Sequence, residues 1–362
     1  MNAQVSSAQS SSHTLSVGSV PAAGHAPVLI VGGSGVVGAQ GAQALRRLHP
    51  GLKLAIAGRD RGRAEAVAAG LGDAEAVVVD LHRADLGLPA DARFSAVVVF
   101  VKDERLNTLK YALHHRLPYI STSSGSFEIA PEVSWHLRYP GRSPMLLASH
   151  WLAGAATLPA LHFAAALSKV ERIGIFALLD QHDMGGPAAA ADYERLTTAA
   201  AAQILERGQW RWVRGEDAAS VGTSVDGTPV PGAAYSPMDV VSLAAATDAH
   251  SIRLDMALGE SASRRRGEAF STEIVLELEG EDADGRPLRQ RHELVHPQGQ
   301  APLTALGIAL GVERLLGLDG AAAPAPGLYT PDLLIDPAYF LRRMREAGTQ
   351  VRSLAVEDAA AA

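Results

Sequence analysis

The sequence predicts an α/β fold, with an N-terminal Rossmann-like doubly wound parallel sheet followed by a second, mixed α/β (α+β) domain. Three observations carry this. From Ala26 to about Ser149, short continuous apolar runs alternate with helical patterns, as expected of parallel strands covered on both faces. The first run, Val28–Val31, leads straight into a glycine-rich turn and then a helical pattern. Beyond Ser149 the alternation stops, and a chain of 362 residues has room for two domains.

In chain order, strands are expected at Val28–Val31, Lys53–Ala57, Ala76–Val79, Ala96–Val101, Tyr119–Thr122 and Met145–Ala148. Helices are expected near Val37–Leu48, Arg61–Leu71 and Leu106–His115, the second stopping at Gly70-Leu71-Gly72. An Ala/Leu-rich helix over Ala155–Leu167 precedes a strand at Arg172–Leu179. Gly186-Pro187-Ala188 then opens a long helix running to about Arg207, since Pro is tolerated in a first turn. Residues 209–270 are mixed. Glu273–Leu278 and Leu288–Leu294, joined through Asp284-Gly285, read as a hairpin. Helices follow at Leu303–Leu316 and Tyr339–Glu346. The Ser/Ala/Gly-rich residues 1–26 read as a disordered leader without the basic and apolar regions of a signal peptide, and residues 353–362 as a frayed tail. The domains expected are 27–150 and 151–325, with 326–352 as a C-terminal extension.

Residues 28–38, Val-Leu-Ile-Val-Gly-Gly-Ser-Gly-Val-Val-Gly, contain Gly33-x-Gly35-x-x-Gly38 between a strand and a helix, the setting in which this spacing means a dinucleotide site. The first glycine permits the tight turn, the second lets backbone approach a pyrophosphate, and the third lets helix pack on strand. Ser34, Val36 and Val37 complete the turn at a helix N-terminus whose free N–H groups suit phosphate. The second strand ends in Ala57-Gly58-Arg59-Asp60-Arg61. An acidic residue there would bind the ribose hydroxyl of NAD, whereas a guanidinium suits the 2′-phosphate of NADP and stacks on adenine. Arg59, reinforced by Arg61 or Arg63, favours NADP; Asp60 keeps NAD as the lesser alternative. Asp80, ending the third strand, is a candidate adenine contact. Lys102, ending the fourth, stands where it can bind phosphate or substrate, or donate a proton.

Bulk composition excludes several classes. A net charge of −7 argues against a nucleic-acid partner, and no apolar run reaches the roughly 20 residues a membrane helix needs. Without cysteine there is no disulfide, thiolate nucleophile or cysteine-bound metal, which suits a cytoplasmic protein. His292 and His296 lack a third partner, so no metal is expected. The four lysines, Lys53, Lys102, Lys110 and Lys169, have no tyrosine four residues earlier, which excludes the Tyr-x-x-x-Lys pair of short-chain dehydrogenases; no strand leads into a serine-hydrolase elbow.

The chain resembles the saccharopine dehydrogenase-like oxidoreductases of the reductase type. The resemblance runs from Val28 to Val351. It rests on the glycine turn with Ala57-Gly58-Arg59-Asp60, on Ala112–Ile120 ending in Leu-Pro-Tyr-Ile, and on Gly280–Arg286. Thr304-Ala305, Pro326-Gly327 and Pro331-Asp332-Leu333-Leu334 then follow in order. It implies a Rossmann domain, a substrate and dimer domain, last helices that return to the first domain, a nicotinamide cofactor, and hydride transfer at a carbon–nitrogen bond of an amino-acid-like or polyamine-like substrate. The sequence departs from the family where Val101-Lys102-Asp103-Glu104 replaces small residues with Gly-Pro after the fourth strand. It departs again where Ser121–Gly125 lacks the aspartate often found after the fifth.

Hydride transfer asks the protein for orientation and a proton. His150 follows the sixth strand directly, and His182 and Asp183 follow the next strand ahead of a helix N-terminus; with Lys102 they are the candidate catalytic residues, and Tyr193 is a weaker one. The expectation is an NADP-dependent oxidoreductase acting on an imine or secondary amine as a homodimer. A non-catalytic nucleotide-binding sensor or partner protein, and a carbonyl or enoyl reductase of a specialised pathway, stand as alternatives.

Overall fold

The computed structural model describes residues 26–355, apart from 123, 184 and 199. The chain opens with β1 (Val28–Val31), α1 (Val36–Leu48), β2 (Leu54–Gly58), α2 (Arg61–Ala69), β3 (Ala74–Val78), β4 (Ala96–Val99), α3 (Asn107–His115), β5 (Tyr119–Ser121), α4 (Ala130–Arg138) and β6 (Pro144–Leu147). These strands are wholly parallel and lie in the order β6-β5-β4-β1-β2-β3. Alternate residues explain why both faces are covered. Val28, Ile30, Leu54, Ile56 and Val98 point into one core, while Leu29, Val31, Ala55, Val97 and Val99 point into another against Leu109 and Leu113 of α3. The strand order reverses between β1 and β4, and the crevice beyond the strands' carboxyl ends at such a switch point is where ligands bind.

The second part contains α5 (Thr157–Ala164), β7 (Lys169–Asp180), α6 (Pro187–Thr198), β8 (Ala202–Glu206), β9 (Gln209–Val213), β10 (Ala219–Thr223), β11 (Pro229–Ala234), α7 (Asp239–Ala246), β12 (Ser251–Gly259), α8 (Ala262–Arg265), β13 (Thr272–Glu281) and β14 (Pro287–His296). The chain ends with α9 (Gln300–Leu315), β15 (Gly327–Tyr329), α10 (Pro331–Leu334), α11 (Pro337–Glu346) and β16 (Gln350–Ala355). The second sheet has nine strands: a path β10-β11-β12-β7-β13-β14-β16, with β8 pairing β12 and β9. It is mixed, because β7 pairs β12 in parallel and β13 antiparallel.

Several sequence expectations are corrected. The helix expected to run to Arg207 stops at Thr198, and Ala202–Glu206 pairs antiparallel with β9 instead. The segment expected to return to the first sheet as helices does so as a strand, β15, which pairs β6 and makes that sheet seven-stranded. The last helix packs elsewhere: Phe340, Leu341 and Met344 of α11 join the core of the second sheet with α5. Ser353–Ala355, placed in the frayed tail, close β16 against β14. The rest of the expected tail, and the leader up to residue 25, lie outside the described residues. Among the described residues, no helix is long and apolar enough to cross a membrane.

Candidate functional site

A cavity of about 740 Å³ occupies the switch-point crevice between the first sheet and the elements that follow β6. Its floor is the turn after β1. Gly32 there has φ +80°, a backbone state that favours glycine, and a Cβ would lie 2.8 Å from Val101 Cγ1. Helix α1 begins at Gly35 with no side-chain cap and no acidic residue in its first turn, so its first N–H groups are left for a ligand. The turn sits tight against the helix because residue 38 is glycine: a Cβ there would meet Gly32 O at 2.2 Å. Gly32, Ser34, Gly35, Val36, Val37 and Gly38 line the cavity. Gly33 does not; it faces the sheet, where a Cβ would lie 2.8 Å from Ile30 O.

Arg59, Asp60, Arg63 and Asp80 line the end of the cavity beside β2 and β3. Asp60 Oδ1 accepts from Arg63 N at 3.1 Å and caps α2, so its carboxylate is already employed. Arg63 Nη2 donates to Ser34 O at 3.3 Å, joining α2 to the glycine turn. Arg59 is exposed, and its guanidinium has no partner among the described residues. Arg61 ion-pairs with Glu65 at 2.8 Å and is not among the lining residues. Asp80 Oδ1 accepts from His82 N at 2.9 Å.

Lys102 lines the other half, on the loop leaving β4. Its Nζ lies 3.2 Å from Glu128 Oε2 and 3.5 Å from Ser124 Oγ. Ser124 Oγ donates to Glu132 Oε1 at 3.1 Å; Glu132 is buried on α4, its Oε2 is unpartnered, and burial pushes its carboxyl up from the usual range. Glu128 accepts from Gly125 N at 2.9 Å and from Arg195 Nε at 2.9 Å, and Arg195 also holds Asp192 at 2.6 Å. These ion pairs tie α6, which covers the cavity, to the loop before α4. The start of α6 also lies close over the glycine turn: Gly186 has φ +89°, and a Cβ there would lie 2.8 Å from Val36 Cγ2.

His150 lines the cavity and is buried, with Nε2 2.8 Å from Ser242 Oγ and 3.7 Å from Asp332 Oδ1, while Nδ1 is unpartnered. Burial holds its pKa below the usual value, against the opposing pull of Asp239 and Asp332. The ring is therefore neutral at neutral pH and suited to orienting a ligand by hydrogen bonding rather than to giving up a proton. Asp239 fixes the neighbouring chain: its carboxylate accepts from Trp151 N at 2.6 Å and from Thr157 Oγ1 at 2.6 Å. Leu152 and Ala153 follow in the left-handed region, at φ +48° and +55°, a local strain of about 1–3 kcal/mol per residue that this packing sustains.

His182 and Asp183 are not brought to the cavity. His182 is exposed outside its lining. Asp183 is buried, and its Oδ2 accepts from Gln300 N at 2.6 Å, satisfying the first turn of α9 from a distant loop; short side-chain reach and burial commit it to that helix. Tyr193 does line the cavity. His292 and His296 sit in the second sheet, with Nδ1 at 2.8 Å from Ser353 Oγ and 3.0 Å from Thr349 Oγ1 respectively. Missed in the sequence were Gly32, Glu128, Glu132, Asp192, Arg195, Asp239 and Asp332. Ala130-Pro131-Glu132, with Pro in a first turn, was a readable helix start; the contacts of Asp239 and Asp332 with the 150 region join residues far apart in sequence and leave no local signal.

No family model and no curated protein matches this chain. Among solved structures, its fold is similar to that of saccharopine dehydrogenase (L-Glu forming) from Saccharomyces cerevisiae, with a TM-score of 0.65 and 14% identity over 91% of this chain and 100% of that one. An oxidoreductase from Agrobacterium radiobacter, solved with NAD+, L-tartaric acid and magnesium, gives a TM-score of 0.47 at 14% identity, covering 91% of this chain and 98% of that one. Myo-inositol 2-dehydrogenase from Lactobacillus plantarum gives 0.45 at 12% identity, covering 92% and 99%. The resemblance read in the sequence is thus met in the fold.

Proposed function

We propose that this chain, having the fold of saccharopine dehydrogenase, is an oxidoreductase that uses NADP in preference to NAD and exchanges hydride at a carbon–nitrogen bond. The observation that carries the reading is the continuity of one cavity from an uncapped glycine turn and an unpartnered arginine to Lys102 and His150. The residues fit a dinucleotide: the turn has the close, side-chain-free backbone a pyrophosphate needs, and Arg59 is available for a 2′-phosphate. The employment of Asp60 as a helix cap weakens the NAD alternative. The carbon–nitrogen part draws on the likeness of fold to saccharopine dehydrogenase.

The bound dinucleotide, when reduced, supplies the hydride. The rest falls to the protein. The first N–H groups of α1 would hold the pyrophosphate, and Arg59 with Arg63 would bracket the adenosine phosphate. Lys102 Nζ, its charge balanced by Glu128 at 3.2 Å, would supply the proton that the imine nitrogen takes up on reduction to the amine. His150 orients the substrate as a neutral ring.

Calorimetric titration of NADPH and NADH into wild type and Arg59→Ala tests this. We expect NADPH to bind the more tightly, and Arg59→Ala to weaken NADPH about 10- to 100-fold while leaving NADH nearly unchanged, the range for one charge-assisted contact. Failure of both nucleotides to bind would overturn the reading.

A further inference from the structure

The half of the cavity beyond Lys102 has a chemical character of its own. Trp151, Leu179, Tyr193, Leu196, Tyr235 and Met256 all face it, and the same six side chains belong to, or pack against, the hydrophobic core of the second sheet. The core therefore surfaces as the wall of the cavity. From Trp151 onward, no lysine, arginine or histidine occurs among the described lining residues, and His150, which precedes Trp151 in the lining, is buried with its pKa held below the usual value, so it brings no positive charge. The one carboxylate there, Asp192, is held by Arg195 at 2.6 Å. Lys102, at the boundary, stands against Glu128 at 3.2 Å. The cations of the lining that stand free of carboxylates, Arg59, Arg63 and Arg105, are on the loop leaving β2, the first turn of α2 and the loop leaving β4, at the nucleotide end. A carboxylate carried into the apolar half would lose its hydration and find no unshared cation in exchange. An aromatic or alicyclic group would instead complete an existing core face.

We infer that the substrate is an uncharged, apolar imine, aromatic or alicyclic, and not an amino-acid-like imine bearing a carboxylate. This rests on the proposed nucleotide-dependent function and narrows it: the nitrogen is met by Lys102 at the polar boundary, and the carbon skeleton lies on the wall formed by Tyr193, Tyr235 and Met256.

The test compares an aryl-substituted cyclic imine with the same skeleton carrying a carboxylate on the imine carbon. Protein saturated with NADPH is followed by loss of dihydronicotinamide absorbance, and protein loaded with NADP is titrated calorimetrically with the two corresponding amines. We expect kcat/KM for the uncharged imine, and affinity for its amine, to exceed those of the carboxylated partner at least about 10-fold. Tyr193→Ala, on a helix with no buried residue, should weaken the aryl amine about 10-fold with NADPH affinity unchanged. Equal or better use of the carboxylated pair overturns the inference. So does NADPH binding with no response to either amine, which leaves the nucleotide reading standing. Absence of NADPH binding removes both.

Discussion

At the scale of single residues, the glycine turn shows how steric room becomes function. Gly38 lets α1 approach so closely that a Cβ would sit 2.2 Å from Gly32 O and 2.9 Å from Gly33 Cα, both backbone atoms that cannot swing aside. Gly38→Ala must therefore push the helix off the turn. We expect a loss of about 2–3 kcal/mol in stability, the upper range for overpacking, together with weakened NADPH binding because the helix N-terminus moves from the pyrophosphate. Gly51→Ala, where a Cβ meets nothing within 4 Å, is the control and should stay within about 0.5 kcal/mol. Urea midpoints and calorimetry read both; equal behaviour of the two variants would refute the steric account. The turn was legible because its spacing is local. The network around Glu128 and Glu132 was not, because a carboxylate on the loop before α4, Glu128, and an arginine on α6, Arg195, become partners only when tertiary structure brings 67 residues of separation to 2.9 Å.

At the scale of elements, β14 is fastened to β16 by histidines as well as by its ladder. His292 stacks on Phe163 with ring centroids 3.6 Å apart and meets Ser353, and His296 meets Thr349. Burial pushes both rings down to about 4. The unfolded chain therefore takes up protons at these sites first as pH falls below about 6.5. The stability owed to the neutral rings is present above that value and lost progressively toward pH 4, by up to about 3 kcal/mol per ring. Glu132, Asp183 and Asp239, whose carboxyls burial pushes up, act in the opposite sense, so the informative quantity is a difference between proteins. Denaturant midpoints of wild type and His296→Gln, measured from pH 7 to 4.5, should show a shallower decline in the variant; parallel curves would mean the buried ring is not the cause. Element-level reading of the sequence succeeded where burial is uniform. Strands β1 to β6 are mostly short apolar runs, so β1 is located to the residue and the other five to within two residues at each end, whereas β15, the seventh strand of that sheet, was not foreseen. It failed where one pattern serves two structures: Ala-rich residues 199–207 continue a helical composition, yet Ile204 and Leu205 are buried in strand β8.

At the scale of the whole molecule, α9 decides how the two sheets behave. Leu303, Leu306 and Leu310 belong to the core of the second sheet, and Ala305, Ile308, Ala309, Val312 and Leu315 to that of the first. One helix thus buries opposite faces in two cores. Gly307 and Gly311 allow this: a Cβ would lie 2.5 Å from Ala153 O at the first and 2.7 Å from Leu146 Cδ2 at the second. The helix start also holds Asp183 and contributes Gln300 and Thr304 to the cavity wall. Separating the sheets would expose both faces of α9 and open the site, so neither half has a complete core alone. We expect equilibrium unfolding in one transition, with fluorescence of buried Trp151 and far-ultraviolet dichroism coincident. NADPH at 100 times its dissociation constant should raise the unfolding free energy of the whole chain by about 2.7 kcal/mol, because binding is linked to the single folded state. Two separable transitions, with NADPH moving only one, would show instead that the first sheet holds the nucleotide as an independent unit and that α9 is docked rather than shared.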